Sequence, residues 1–475
     1  MKEAYPNLKR VYFIGIGGAG MSAIANWLLA QGTKVSGSDL IDSPVIDDLR
    51  ARGAEISTIQ DGKFLRREST LVVYSSAIKK SNREIKKAKE LGLPILSRGH
   101  LLSYLLEDYQ AIATVGSHGK TTTAGLLVAI FKDTNPNYLI GGWIYQSGSK
   151  CSNWQYSEAK EFIVELDESD GSFLYTKAGI VIITGIDQDH LNSYQNNFRR
   201  LQEAFGKFIQ GLPKGGKVIY CHDDHLLLKA IQSSGEGLEK ISYGISKEAD
   251  FQLSRFKQKG LISEFTVKDQ KRRREFQLRI RLPGIHNALN ATAVFALGIG
   301  LGFQGEEQIL SSLSSFHGVR RRFEYLGKYT LGSIGFEAVF DYAHHPTALE
   351  LVLHAIKQVW PNRSYLVLFQ PHRHTRLEAL FYDFAKVLKN VERLMLLPLY
   401  SAGENPSQSI DSSTLLEEIK SRNCGGTITL VSPKLLEDKL SKSLKDGDIL
   451  VALGAGDIHE HLKKFLQTGP CFFIT

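Results

Sequence analysis

Short apolar runs, each followed by a glycine-rich turn and then by residues at helical spacing, recur along this chain and predict its fold. Residues 11–14 form one such run, 15–20 a turn holding four glycines, 21–31 a helix, and 34–36 the next strand, ending at Asp39. The rhythm continues through strands at 71–74 and 94–96, which predicts a first parallel α/β unit closing near residue 108. A second starts with the apolar run 111–115, again followed by a glycine loop and a helix, and continues through 162–165 and 180–184. Residues 250–282 change period: Phe251, Leu253 and Phe256, then Ile262, Phe265 and Val267, then Phe276, Leu278, Ile280 and Leu282 approach alternation, the mark of antiparallel strands. A helix over 287–300 follows. A third α/β set begins near 323, with strands at 338–340, 365–369, 393–397 and 449–453.

Composition changes this picture little. A chain of 475 residues, 43% apolar, can bury several cores, which excludes a disordered or collagen-like protein. Lysine and arginine exceed acids by 58 − 50 = 8, a mild preference for anionic partners that selects none of them. The four cysteines, Cys151, Cys221, Cys424 and Cys471, are far apart and form neither a disulfide framework nor a zinc spacing, so a reducing cytoplasm is the expected home. Residues 11–30 carry no charge and have the length of a membrane span, but the glycine turn inside them argues against insertion. No charged leader with a cleavage site precedes them.

Chemistry enters at two glycine loops. Gly15-Ile-Gly17-Gly18-Ala19-Gly20 fits GxGxxG between a strand and a helix, with Asp39 at the end of the next strand, where backbone N–H groups and the helix start can meet a diphosphate. Gly116-Ser117-His118-Gly119-Lys120-Thr121-Thr122 has the GK[ST] ending of a phosphate loop, although Thr114 stands where GxxxxGK places its first glycine. There Gly119 lets the backbone wrap phosphate, Lys120 supplies a point charge, and the Thr121 hydroxyl suits Mg²⁺. Glu165, ending its apolar run, and His190 in Asp187-Gln-Asp-His190 stand after the next two strands, on the edge where that loop lies, and are expected at the metal.

The chain resembles the Mur ligases of peptidoglycan synthesis. The resemblance rests on GIGGAGMSAIA (15–25), SGSD (36–39), GSHGKTTT (116–123), ELDESDGSF (165–173), DQDH (187–190), PGIHNALNA (283–291), GVRRRFE (318–324), DYAHHP (341–346), FQPHRHTR (369–376) and SAGE (401–404). It departs at Ser117, where threonine is usual, at Gly185, where asparagine is usual, and at His100, which replaces an acid after Arg98.

The resemblance implies an α/β protein of three domains: a Rossmann-like domain over 1–108 for a UDP-sugar, a central phosphate-loop ATPase-like domain with a small antiparallel sheet over 109–322, and a C-terminal Rossmann-like domain over 323–475 for an amino acid. It further implies ATP-dependent joining of L-alanine to the lactyl carboxylate of UDP-N-acetylmuramate, through an acyl phosphate. UDP-sugar contacts are then expected from Gly15, Gly17, Gly18, Ala19, Gly20, Met21, Ser22, Ser38, Asp39, Ser75 and Ser76. ATP contacts are expected from Gly116 through Thr122 and from His286, Asn290, Arg322 and Asp341, and Mg²⁺ ligation from Thr121, Glu165 and His190. The same resemblance puts Tyr342, His344, Arg373 and Arg376 near the alanine. Lys120 would act on the transferring phosphate and His344 on the ammonium proton. Arg373 and Arg376, three apart after the strand 365–369, are expected in one helical turn, converging on a carboxylate. A monomer or homodimer, with no nucleic-acid partner, is expected. Two other readings of the residues stand beside this one: an ATPase acting on nucleic acid, which would use the basic excess but has only Lys271-Arg-Arg-Arg274 as a platform, and an NAD-dependent dehydrogenase, which would leave the loop 116–122 idle.

Overall fold

The structure, a computed structural model, describes residues 8–145, 151–189, 191–234, 236–303, 305–404, 410–422, 425–467 and 471–474. Among these residues the strands form three sheets. The first contains β1 (Arg10–Ile14), β2 (Lys34–Ser38), β3 (Glu55–Ser57), β4 (Leu71–Tyr74) and β5 (Ile95–Ser97) in the order β3-β2-β1-β4-β5, every pair parallel. The order reverses at β1, so the glycine turn that follows it lies at the crevice where doubly wound sheets bind ligands.

The second sheet contains β6 (Gln110–Val115), β7 (Asn137–Tyr145), β8 (Cys151–Gln155), β9 (Glu161–Glu165), β10 (Ile180–Ile183), β11 (Lys217–Cys221), β12 (Glu239–Gly244), β13 (Phe251–Lys259), β14 (Ile262–Asp269) and β15 (Arg274–Ile280). Its order is β15-β14-β13-β12-β11-β10-β6-β9-β7-β8. β6 runs parallel to both neighbours, β9 and β10, so the phosphate loop leaves the sheet beside the ends of the strands that carry Glu165 and Thr184. The alternating segment 250–282 does not stand apart: β13 pairs in parallel with β12, and the meander continues the central sheet. β11 and β12 are strands that the apolar rhythm did not single out. β12 is exposed over its first two residues and buried only over its last three, so its pattern is weak.

The third sheet contains β16 (Glu324–Leu331), β17 (Ile334–Asp341), β18 (Tyr365–Phe369), β19 (Arg393–Leu396), β20 (Thr427–Leu430), β21 (Asp448–Leu453) and β22 (Cys471–Ile474), ordered β20-β19-β18-β21-β17-β16-β22. β21 is buried at every residue because both faces are covered. Val339, Val367 and Val451 face the helix Pro346–Val359, while Ala338, Leu366 and Leu450 face the helix Ile458–Gln467.

The chain divides into two compact units, residues 1–254, 266–278 and 289–316, and residues 255–265, 279–288 and 317–475. The first unit thus holds the first sheet and most of the second. Trp27, on the helix Ala19–Ala30, ties them: its Nε1 donates to Asn137 Oδ1 at 3.1 Å and its ring packs on Tyr109, Tyr156 and Phe162. No helix among the described residues is long and apolar enough to cross a membrane.

Candidate nucleotide and substrate sites

The phosphate loop is built from positions where a side chain cannot stand. Gly116 has φ +135, and a Cβ on it would lie 2.2 Å from Thr184 Oγ1. Gly119 has φ +81, and a Cβ there would lie 2.7 Å from Asn290 Oδ1. This places Asn290, buried on the helix Ile285–Gly300, directly against the loop. Gly119 starts the helix Lys120–Ile130 with no side-chain cap, leaving that helix start to anions. Ser117 and Gly185 are coupled through the backbone: Ser117 N donates to Gly185 O at 3.0 Å, and Asp187 N donates to Ser117 Oγ at 2.8 Å. Gly185 itself adopts φ +154. His118 Nε2 lies 2.8 Å from Asp187 Oδ2.

Acidic residues surround the lysine and threonine. Lys120 Nζ donates to Gly116 O at 2.6 Å and to Glu168 Oε2 at 2.7 Å. Burial opposes its charge, but Glu168, Asp167 and Glu165 outweigh that and hold its pKa above the usual value. Glu168 is almost fully buried, and its second oxygen, Oε1, has no hydrogen-bond partner among the described residues. Burial pushes its carboxyl up to about 7, against the pull of Lys120. Glu165 and Thr121 meet: Thr121 Oγ1 donates to Glu165 Oε1 at 3.0 Å, and Gly141 N donates to Oε2 at 2.7 Å. A hydroxyl and a carboxylate side by side are hard oxygen donors of the kind Mg²⁺ takes. His190, the third expected ligand, lies outside the described residues. Asp167 and Glu168 were missed as site residues, although both stand in the ELDESDGSF run.

At the first glycine loop, Asp39 closes the loop itself. Gly17 N donates to Asp39 Oδ2 at 2.8 Å, and Gly15 N and Ile16 N donate to Ser38 O at 2.8 and 3.1 Å. Gly15 has φ +79 and sits against Ser75; Gly18 caps the following helix without a side-chain bond. Ser76 is exposed. Three expected contacts turn inward instead of outward. Ser38 Oγ is committed to Glu84, which also accepts from Tyr12, inside the core. Met21 is buried, and Ser22 Oγ donates to Ala19 O at 3.1 Å.

In the second unit, Asp341 ends β17 with both oxygens engaged, accepting from Phe323 N at 2.6 Å and Ala343 N at 2.7 Å; burial raises its pKa and Arg322 opposes this. Arg322 stacks over the Tyr342 ring, 5.0 Å from its centroid. A Cβ on Gly284 would lie 2.6 Å from the His286 ring and 3.1 Å from Ala355 Cβ. The Nδ1 of His286 is buried without a partner among the described residues, and burial, then His354, lowers its pKa to about 4. His344 Nδ1 lies 2.8 Å from Tyr342 O, so the neutral ring carries its proton there and Nε2 is the basic nitrogen. Arg376 is buried, with Nη1 3.3 Å from His372 Nδ1, and His372 stacks on Tyr400. The expected shared helical turn for the two arginines is corrected: the helix is His374–Ala379, and Arg373 precedes it at φ +68, its own N bound to Tyr400 O. Arg373 Nε is buried without a hydrogen-bond partner among the described residues.

Three α/β sheets in series, with a phosphate loop opening the second and acids gathered around its lysine, define a phosphate-loop enzyme of three α/β parts. The chain belongs to the Mur ligase family: residues 10–110 match its catalytic domain, 115–298 its middle domain and 321–456 its glutamate ligase domain. It is 38% identical over 463 residues, 96% of each chain, to the UDP-N-acetylmuramate–L-alanine ligase of Wigglesworthia glossinidia brevipalpis. The crystal structure of the UDP-N-acetylmuramate–alanine ligase of Thermotoga maritima matches with a TM-score of 0.81 at 27% identity, covering 97% of this chain and 98% of that one. A murein peptide ligase of Psychrobacter arcticus shares the fold, with a TM-score of 0.71 at 22% identity over 97% and 98% of the two chains.

Proposed function

We propose that this protein joins L-alanine to the lactyl carboxylate of UDP-N-acetylmuramate at the expense of ATP, giving ADP and phosphate through an acyl phosphate, in the cytoplasm. The observation that carries the reading is Lys120 on the phosphate loop, with the Thr121–Glu165 pair behind it, in a chain that is similar over its whole length to alanine-adding ligases. Residues 1–108, 109–322 and 323–475 are assigned to the UDP-sugar, ATP and amino acid in turn.

Each side chain has a task in that reaction. The loop 116–122 wraps the ATP phosphates with backbone N–H groups, and Asn290 supports Gly119 from behind. Lys120 leaves Glu168 to meet the transferring phosphoryl group, where a fixed charge stabilises the transition state. Thr121, Glu165 and His190 would hold Mg²⁺, which when bound neutralises phosphate charge. Arg376 suits the alanine carboxylate, and the basic Nε2 of His344 takes the proton that the ammonium must lose before it attacks. No protein nucleophile is required.

Phosphate release from ATP tests the reading. It should require both L-alanine and UDP-N-acetylmuramate, and replacing alanine by the murein tripeptide should abolish it. Release that is independent of the UDP-sugar, or stimulated by DNA in its place, would overturn the assignment.

A further inference from the structure

Arg98 opens the helix Arg98–Leu106 in a place that local electrostatics does not favour. It is a cation in the first turn of a helix, where the macrodipole repels positive charge, and that turn has no acid of its own. Its guanidinium also lies against a second helix start. A Cβ on Gly20, in the first turn of the helix Ala19–Ala30, would be 3.2 Å from Arg98 Nη1 and 3.3 Å from its Cδ. That helix has neither an acid in its first turn nor a side-chain cap, whereas the Arg98 helix is capped by Ser97 Oγ, which accepts from His100 N at 3.4 Å. Two helix starts and a guanidinium therefore converge beside the first glycine loop.

The arginine is held there by a built support. Its Nη2 bonds Asp167 Oδ2 at 3.2 Å and Asp170 Oδ2 at 3.4 Å. The helix it opens is pressed onto the chain after Asp170: a Cβ on Gly99 would fall 2.2 Å from Ser172 Cβ, Ser103 Oγ donates to Tyr175 O at 2.6 Å, and His100 stacks on Tyr175 at 3.8 Å. Asp167 and Asp170 are themselves fixed by Ser169 N and Ser172 N. The same short segment bears Glu165, on Thr121, and Glu168, on Lys120. Arg98 thus connects the first glycine loop to the acids that address the phosphate loop.

We propose that Arg98 binds an anionic group of the UDP-sugar at the first glycine loop, with Asp167 and Asp170 holding its guanidinium in position, so that the sugar nucleotide is set against the ATP site through one side chain. The proposal rests on the function proposed above. Its ligand chemistry, an oxyanion facing a fork of N–H donors, is shared by the diphosphate and the lactyl carboxylate.

Equilibrium binding of UDP-N-acetylmuramate and of UDP, each without ATP or alanine, separates these outcomes. Wild-type protein that fails to bind UDP-N-acetylmuramate at all would refute the function, not the role of Arg98. Against a binding wild type, Arg98→Ala should weaken UDP-N-acetylmuramate by about ten-fold or more, and Arg98→Lys by less, with the KM for ATP unchanged. Equal weakening of UDP identifies the diphosphate as the group bound, and intact UDP binding identifies the carboxylate. Asp170→Asn removes one of the two carboxylates that hold the guanidinium and should weaken UDP-N-acetylmuramate by less than Arg98→Ala does, since Asp167 remains. The proposal is overturned if folded Arg98→Ala and Arg98→Lys, verified by thermal melting, bind UDP-N-acetylmuramate as wild type does. It is equally overturned if ATP and the sugar nucleotide weaken together, or if Asp170→Asn weakens binding as Arg98→Ala does, since a merely structural link would behave in those ways.

Discussion

Lys120 is held by a buried carboxylate before any phosphate arrives, and this splits the effect of removing it into two measurable parts. Lys120→Ala should lower turnover by at least a hundred-fold, a loss of about 3 kcal/mol in transition-state stabilisation. It should also lower the melting temperature, because Glu168 keeps its burial and loses its cation. Adding Glu168→Gln should restore the melting temperature without restoring turnover; recovery of both would mean that Lys120 serves only the fold. Arg376→Lys keeps the charge but loses the planar fork, so the KM for L-alanine should rise about ten- to a hundred-fold while that for UDP-N-acetylmuramate holds. An alanine KM equal to wild type would remove Arg376 from that site. At this scale the sequence showed the loop residues and Glu165, because GK[ST] and an acid ending a strand are local patterns. Glu168 and Asp167 could not be ranked above their neighbours, since their importance comes from Lys120 and Arg98, 48 and 69 residues away along the chain.

Turns and helix starts set the next level of control. Gly119→Ala would demand a left-handed alanine and push a methyl group to 2.7 Å from Asn290 Oδ1. The KM for ATP should rise at least ten-fold with the affinity for the UDP-sugar intact, as steady-state kinetics and sugar-nucleotide binding would reveal. Glu165→Gln removes the carboxylate charge yet keeps one oxygen for Gly141 N and turns its amide nitrogen to the Thr121 hydroxyl, which can accept, so the Mg²⁺ concentration for half-maximal rate should rise while the melting temperature changes little. An unchanged Mg²⁺ titration would dissociate Glu165 from the metal. Strand positions were legible in β18 and β21, because an uninterrupted apolar run is hard to mistake. The conformation of Arg373 was not. Nothing in FQPHRHTR announces φ +68, which follows from the bond between its N–H and Tyr400 O, supplied from a distant part of the chain.

For the molecule as a whole, the order of three α/β sheets could be read from the rhythm of strand and glycine turn, whereas the extent of the central sheet could not. Alternation along 250–282 is a local signal, and it leaves open whether such strands build their own sheet or extend an existing one; the parallel pairing of β12 with β13 decides for extension. Stability should depend on pH through His286. Its folded pKa of about 4 lies below the ordinary 6.5, so between those values the unfolded chain binds a proton that the folded one refuses. The associated stability is complete above about pH 6.5 and is lost as the pH falls toward 4. Melting temperatures of wild type and His286→Gln should therefore converge or cross on acidification, and parallel curves would show that the histidine titrates normally.

The burial of Trp27 among Asn137, Tyr109, Tyr156 and Phe162 bears on how this enzyme can be taken apart. The first hundred residues, though they contain a complete parallel sheet, end their longest apolar helix face in someone else's core. Expressed alone they would present an indole to water and aggregate, and exchanged with the equivalent part of a distant relative they would meet a mismatched aromatic nest. Recombination between such enzymes should therefore fail near residue 108, and the emission of Trp27, shielded in the intact protein and isolated by replacing the other three tryptophans, offers an optical readout of which chimeras have closed that seam.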